Sequence, residues 1–107
     1  MNKTYNKLVR DKIPEIIESA GKECTTEILS DLEYLKMLDA KLNEECAEYQ
    51  ADKSIEELAD IMEVVYAIAK ARGCSLEKLE SIRKQKAEQR GGFEKRILLK
   101  EVITKEG

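Results

Sequence analysis

The chain has 107 residues, of which 38% are charged and 5% aromatic, with 22 acidic against 19 basic side chains for a net charge of −3. That length holds a single domain, residues 1–107, and one so small buries only a modest share of its own surface, which makes oligomerisation an expectation from size alone. Interspersed charge of net negative sign argues against a general affinity for nucleic acid, and no apolar run suits a membrane span or a secretory leader, so the cytoplasm is the expected compartment.

Cys24, Cys46 and Cys74 are odd in number, far apart and in no C-x-x-C spacing, which suits reduced thiols better than a disulfide frame or a zinc site. The sequence contains no histidine. A Ser-His or Cys-His nucleophile pair, an imidazole base and imidazole metal ligation are therefore all excluded. Any chemistry must come from carboxylates, Lys, Arg, Tyr or Ser.

In chain order, Tyr5 to Ala20 (YNKLVRDKIPEIIESA) holds the only proline, Pro14, which suits the first turn of a short helix that runs to Ala20 and stops at Gly21. The stretch Glu23 to Leu29 is β-prone and reads as extended. Ser30 with Glu33 forms a capping-box pattern that opens a second helix from Asp31 to about Gln50, with Leu35, Leu38, Leu42, Cys46 and Tyr49 near one face. Ser54 with Glu57 repeats the pattern and opens a third helix, whose apolar stripe of Leu58, Ile61, Val65, Ile68 and Ala69 leads to Arg72 and a cap at Gly73. Ser75 caps a more polar fourth helix with Leu76, Leu79, Ile82 and Lys86 on one face, ending at Gly91-Gly92. The apolar segment that follows, FEKRILLKEVI, reads as a strand or a short extended tail. The fold class expected is all-α, a helical bundle around a central antiparallel hairpin of helices two and three, completed by oligomerisation.

The chemistry lies where those two helices meet. Helix two carries Glu44-Glu45-Cys46-Ala47-Glu48 and helix three carries Glu56-Glu57-Leu58-Ala59-Asp60. At about 100° per residue, Glu45 falls roughly 60° from Leu42 and Glu57 about 40° from Ile61, inside the apolar stripes. Glu44 and Glu56 point away, and Glu48 and Asp60 sit at the stripe edges. A tight turn over Gln50 to Lys53 makes the helices antiparallel, which sets Glu48 level with Glu57 and Glu45 level with Asp60 across axes about 8 to 10 Å apart. Four converging carboxylates need cations or shared protons. All-oxygen ligation selects Mg²⁺ or Mn²⁺, ions that keep waters and bind substrate phosphates. Taken singly, each acid has a plainer reading: Glu57 as the N3 member of a capping box, Glu44, Glu45 and Glu48 as surface charges.

The motif EECAE followed by ELAD resembles the E-E-x-x-E and E-x-x-D signature of the all-α nucleoside triphosphate pyrophosphohydrolases, the superfamily of MazG, the dimeric dUTPases and the phosphoribosyl-ATP pyrophosphohydrolases. The N-terminal YNKLVRDKIPEII and the late RGGF are similar to a short MazG-like subgroup, so the likeness spans Tyr5 to about Leu99. The eight residues between Glu48 and Glu57 are fewer than in the better-known members.

The resemblance implies Mg²⁺ bound by Glu45, Glu48, Glu57 and Asp60, with Glu44 the least secure acid of the motif. It also implies hydrolysis of a nucleoside triphosphate to monophosphate and pyrophosphate by water, which Glu45 or Glu48 orients, in the service of clearing non-canonical nucleotides. Lys7, Arg10, Lys12, Lys84 and Arg90 are the candidate phosphate-binding cations, each with the plainer role of a solvated or carboxylate-pairing base. Tyr5, Tyr34, Tyr49, Tyr66 and Phe93 are the few rings that could stack on a base. A homodimer is the first expectation and a tetramer the second. A phosphoribosyl-ATP pyrophosphohydrolase is the alternative within the superfamily, and a non-catalytic helical interaction module is the alternative outside it.

Overall fold

The computed structural model describes residues 3–106. It is all-α, with helices α1 (Ile13–Ser19), α2 (Asp31–Asp52), α3 (Ile55–Ala71) and α4 (Leu76–Arg90) and no strand among the described residues. The chain forms two compact units, one reaching to Leu76 and the other starting at Glu77.

Local chemistry sets the helix ends. Pro14 lies in the first turn of α1, where its missing N–H leaves no helical bond unmade. Ser30 precedes α2 with extended backbone, and its Oγ accepts the Glu33 amide at 3.3 Å and donates to Glu33 Oε1 at 3.1 Å. Ser54 does the same work for α3, with its side chain accepting the Glu57 amide at 3.2 Å. One orphan amide at each start is thereby satisfied. At the other end of α3, Gly73 takes φ +81 so that the Gly73 and Cys74 amides can reach the Lys70 and Ala69 carbonyls at 3.0 and 2.8 Å. Gly21 closes α1 in the same manner, with its own amide on Glu18 and that of Lys22 on Ile17.

The hairpin of α2 and α3 is the centre of the first unit and its one extensive helix–helix packing. α2 runs two residues further than Gln50, and the link is only Lys53, in the left-handed region at φ +57, and Ser54. A link that short leaves antiparallel packing as the only arrangement. Leu38 and Val64, 3% and 8% exposed, are the buried apolar residues, flanked by half-buried Leu35, Leu42, Ile61, Val65 and Ile68. Cys46 is exposed, not part of that face. The seven-residue step from Leu38 lands on Glu45, so the inner position one turn along α2 goes to a carboxylate and the thiol is rotated outward.

Elsewhere the chain keeps apolar side chains in the open. On α3, Ile55, Leu58 and Met62 are 75%, 39% and 52% exposed. The β-prone stretches did not become strands: residues 22–30 carry no regular structure, and residues 96–106 lie beyond a single turn with Ile97, Leu98, Leu99, Val102 and Ile103 all exposed. An extended segment forms a strand only when a partner edge takes up its backbone groups, and the described residues supply none. No helix is long and apolar enough to cross a membrane.

Candidate metal centre

The last turns of α2 and the first turns of α3 bring the expected acids together. One carboxylate oxygen from each of Glu45, Glu57 and Asp60 lies within 4.8 Å of the other two, and Glu44, Glu45 and Glu48 form a second triplet to the same tolerance. Glu45 belongs to both. It is 6% exposed, the one buried charged side chain among the described residues. Of the four acids expected to converge, Glu45, Glu57 and Asp60 share one cluster, whereas Glu48 meets Glu45 in the other.

Glu44 departs from the sequence expectation. Its Cα lies on the flank of α2, yet its side chain turns back to join Glu45 and Glu48, because three rotatable bonds let a glutamate oxygen cover the 100° between neighbouring positions. Lys41, not anticipated from sequence, pairs with both Glu44 and Glu45. Its side chain is 18% exposed, and its ammonium lies 3.6 Å from Glu44 Oε2 and 3.3 Å from Glu45 Oε1. The i,i+3 and i,i+4 spacing of Lys41 to the two acids was the available signal.

Crowding raises two of the acids. Burial, then the charges of Glu48, Asp60 and Glu45, pushes the Glu57 carboxyl up to about 7. Glu48 is raised as well, first by its hydrogen bond to Glu45 and then by that residue's charge. Glu48 and Glu57 thus act on each other across the two helices, the charge of Glu48 being part of what raises Glu57. Two oxygens are left over. Glu45 Oε2 and Glu57 Oε2 are buried with no hydrogen-bond partner. Buried acceptors in that state are costly and rare in folded proteins, and a hard divalent cation satisfies them. Carboxylate-only donors on two rigid helices suit Mg²⁺ or Mn²⁺ and offer nothing to a soft metal.

Of the candidate cations, two reach the acids. Lys7 Nζ lies 3.5 Å from Glu44 Oε1, and Arg10 Nη2 lies 2.6 Å from Asp60 Oδ1. Lys12 immediately precedes α1 and makes no ion pair among the described residues. Lys84 and Arg90 are exposed on α4, in the second unit. Among the aromatic candidates, Tyr5 is 62% and Phe93 98% exposed, Tyr5 lying beneath the Lys3 and Lys7 ammoniums, while Tyr34, Tyr49 and Tyr66 are half-buried against the helices.

Over 44 residues the chain is 54% identical to an uncharacterized protein of Mycolicibacterium smegmatis, a match covering 41% of this chain and 45% of that protein. The chain thus spans under half of that relative's length. No family model and no solved structure matches the chain.

Proposed function

We propose that this chain is a Mg²⁺-dependent nucleoside triphosphate pyrophosphohydrolase of the MazG-like kind, cytoplasmic and active as a homodimer. The observation that carries the reading is the pair of buried, unpartnered oxygens on Glu45 and Glu57, two residues that share a cluster of acids from two helices. A non-catalytic helical module has no use for such atoms, since apolar residues there would be less costly. Glu45, Glu57 and Asp60 would hold the cation, with Glu48 joining from the rim. A divalent cation bound there supplies charge neutralisation for a triphosphate.

The chain's own groups account for the rest. Glu48, exposed at the rim of the cluster with its carboxyl raised above the ordinary range by Glu45, would be the group that orients the attacking water and takes its proton. Arg10 and Lys7, on the same side as Asp60 and Glu44, offer guanidinium and ammonium donors to phosphate oxygens. The exposed apolar residues of α3 favour a second copy as the missing half of the core.

Pyrophosphate release from a panel of canonical and damaged nucleoside triphosphates with Mg²⁺, for wild type against Glu48→Gln and Asp60→Asn, tests the reading. Release that both substitutions abolish is the expected result. Absence of release from every triphosphate would turn the test to phosphoribosyl-ATP, and failure there too would leave the non-catalytic module.

A further inference from the structure

The segment before α1 is tied to both helices of the hairpin. Residues 3–10 have no regular structure, yet Lys7 is paired with Glu44 on α2 and Arg10 with Asp60 on α3, with Asn6 at φ +46 turning the chain just ahead of them. Asp60 is one of the three acids whose oxygens cluster around Glu45. The division within that triplet is uneven. Glu45 and Glu57 each keep one oxygen buried and unpartnered, while Asp60, the more exposed member, has its Oδ1 held by a guanidinium.

We propose that residues 7–10 form a basic strap that occupies Asp60 in the cation-free protein, so that Arg10 and a divalent cation compete for that carboxylate and cation loading frees Arg10 for an anionic ligand. The inference rests on the metal-site reading of the acidic cluster. Three features give the strap its character. Arg10 and Asp60 have side chains 57% and 38% exposed, and ion pairs at such sites are weak enough to exchange. Arg10 engages Asp60 through Nη2 alone, which keeps the remaining guanidinium donors available for phosphate oxygens. Lys7 pairs with Glu44, outside the Glu45–Glu57–Asp60 triplet, so a cation held by that triplet does not compete for its partner directly.

The test is Mn²⁺ binding to the intact chain without nucleotide, followed by electron paramagnetic resonance of free Mn²⁺, for wild type, Arg10→Gln, Lys7→Gln and Glu45→Met. Loss of an exposed competing ion pair should tighten Mn²⁺ about two- to fivefold in Arg10→Gln, and by less in Lys7→Gln. The same Arg10→Gln protein, loaded with cation, should bind a non-hydrolysable triphosphate more weakly. A wild-type readout runs beside these and needs no variant: the Arg10 side-chain Nε–H resonance should shift on Mg²⁺ titration with the midpoint of cation binding. Unchanged or weaker Mn²⁺ binding in Arg10→Gln, with a resonance that ignores Mg²⁺, overturns the strap while leaving the metal site standing. Mn²⁺ binding that Glu45→Met does not alter, or none in wild type, overturns the metal site and the strap together.

Discussion

Replacing Glu45 by Met separates what this residue costs from what it does. In the cation-free chain its Oε2 is buried without a partner, which costs about 1–3 kcal/mol for an unsatisfied polar atom. Its other oxygen meets Lys41, but Lys41 keeps Glu44 within 3.6 Å, so removing Glu45 forfeits only about 0.3–0.5 kcal/mol of pairing. Methionine has nearly the same length and volume and fills the slot without a cavity. The net expectation is a gain of roughly 1–2 kcal/mol in chelator, or about 4 to 16 °C in Tm for a unit of this size. With Mg²⁺ at a hundredfold its Kd, wild type should gain about 2.7 kcal/mol and the variant nothing. Thermal melts by circular dichroism in chelator and in Mg²⁺ should therefore cross: the variant is the more stable protein without the cation and the less stable one with it. A variant that melts below wild type in chelator would refute the reasoning, because it would mean that the buried carboxylate is already satisfied.

Three further outcomes follow from the same geometry. Because the Glu57 carboxyl is raised to about 7 and Glu48 is raised too, the folded cation-free chain binds more protons than the unfolded one from the ordinary carboxyl range up to neutrality. Its stabilisation is present below about pH 4.5 and lost as pH rises through about 7, so Tm in chelator should fall across that window, and Glu57→Gln should flatten the fall. Leu38→Ala, at the most deeply buried apolar position, should lower stability by about 2–4 kcal/mol in urea titrations, and a loss under 1 kcal/mol would show that α2 and α3 do not rely on that contact. Sedimentation equilibrium at micromolar concentration should return twice the chain mass; a stable monomer would remove the second copy from the proposed enzyme.

The elements legible in the sequence were those written in local chemistry. Ser30 and Ser54, each followed three residues on by Glu, marked two helix starts to the residue, and Gly21, Gly73 and Gly91 marked three ends. The facing of Glu45 and Asp60 was legible because a short link between two helices fixes their register before any tertiary detail is known. What escaped depended on side-chain reach and on partners. Lys41 and Glu44 join the cluster by bending flexible chains across the helix surface, which the angular position of a Cα does not report. Cys46 counted as apolar by residue type, although the seven-residue step from Leu38 gives the inward place to Glu45. The stretch from Phe93 to Ile103 has β-prone composition, but a strand is a property of two segments, and composition describes one.

The two-residue link at Lys53 and Ser54 constrains how this protein can change length over evolutionary time. A single residue inserted near the hairpin tip advances one helix by about 1.5 Å and turns it by about 100° relative to the other, which would move Glu48 out of step with Glu57. There is no slack loop to absorb the mismatch. Insertions inside either helix between an acid and the tip are therefore the costly ones, whereas residues added to the link itself lengthen the loop and leave Glu48 and Glu57 in register.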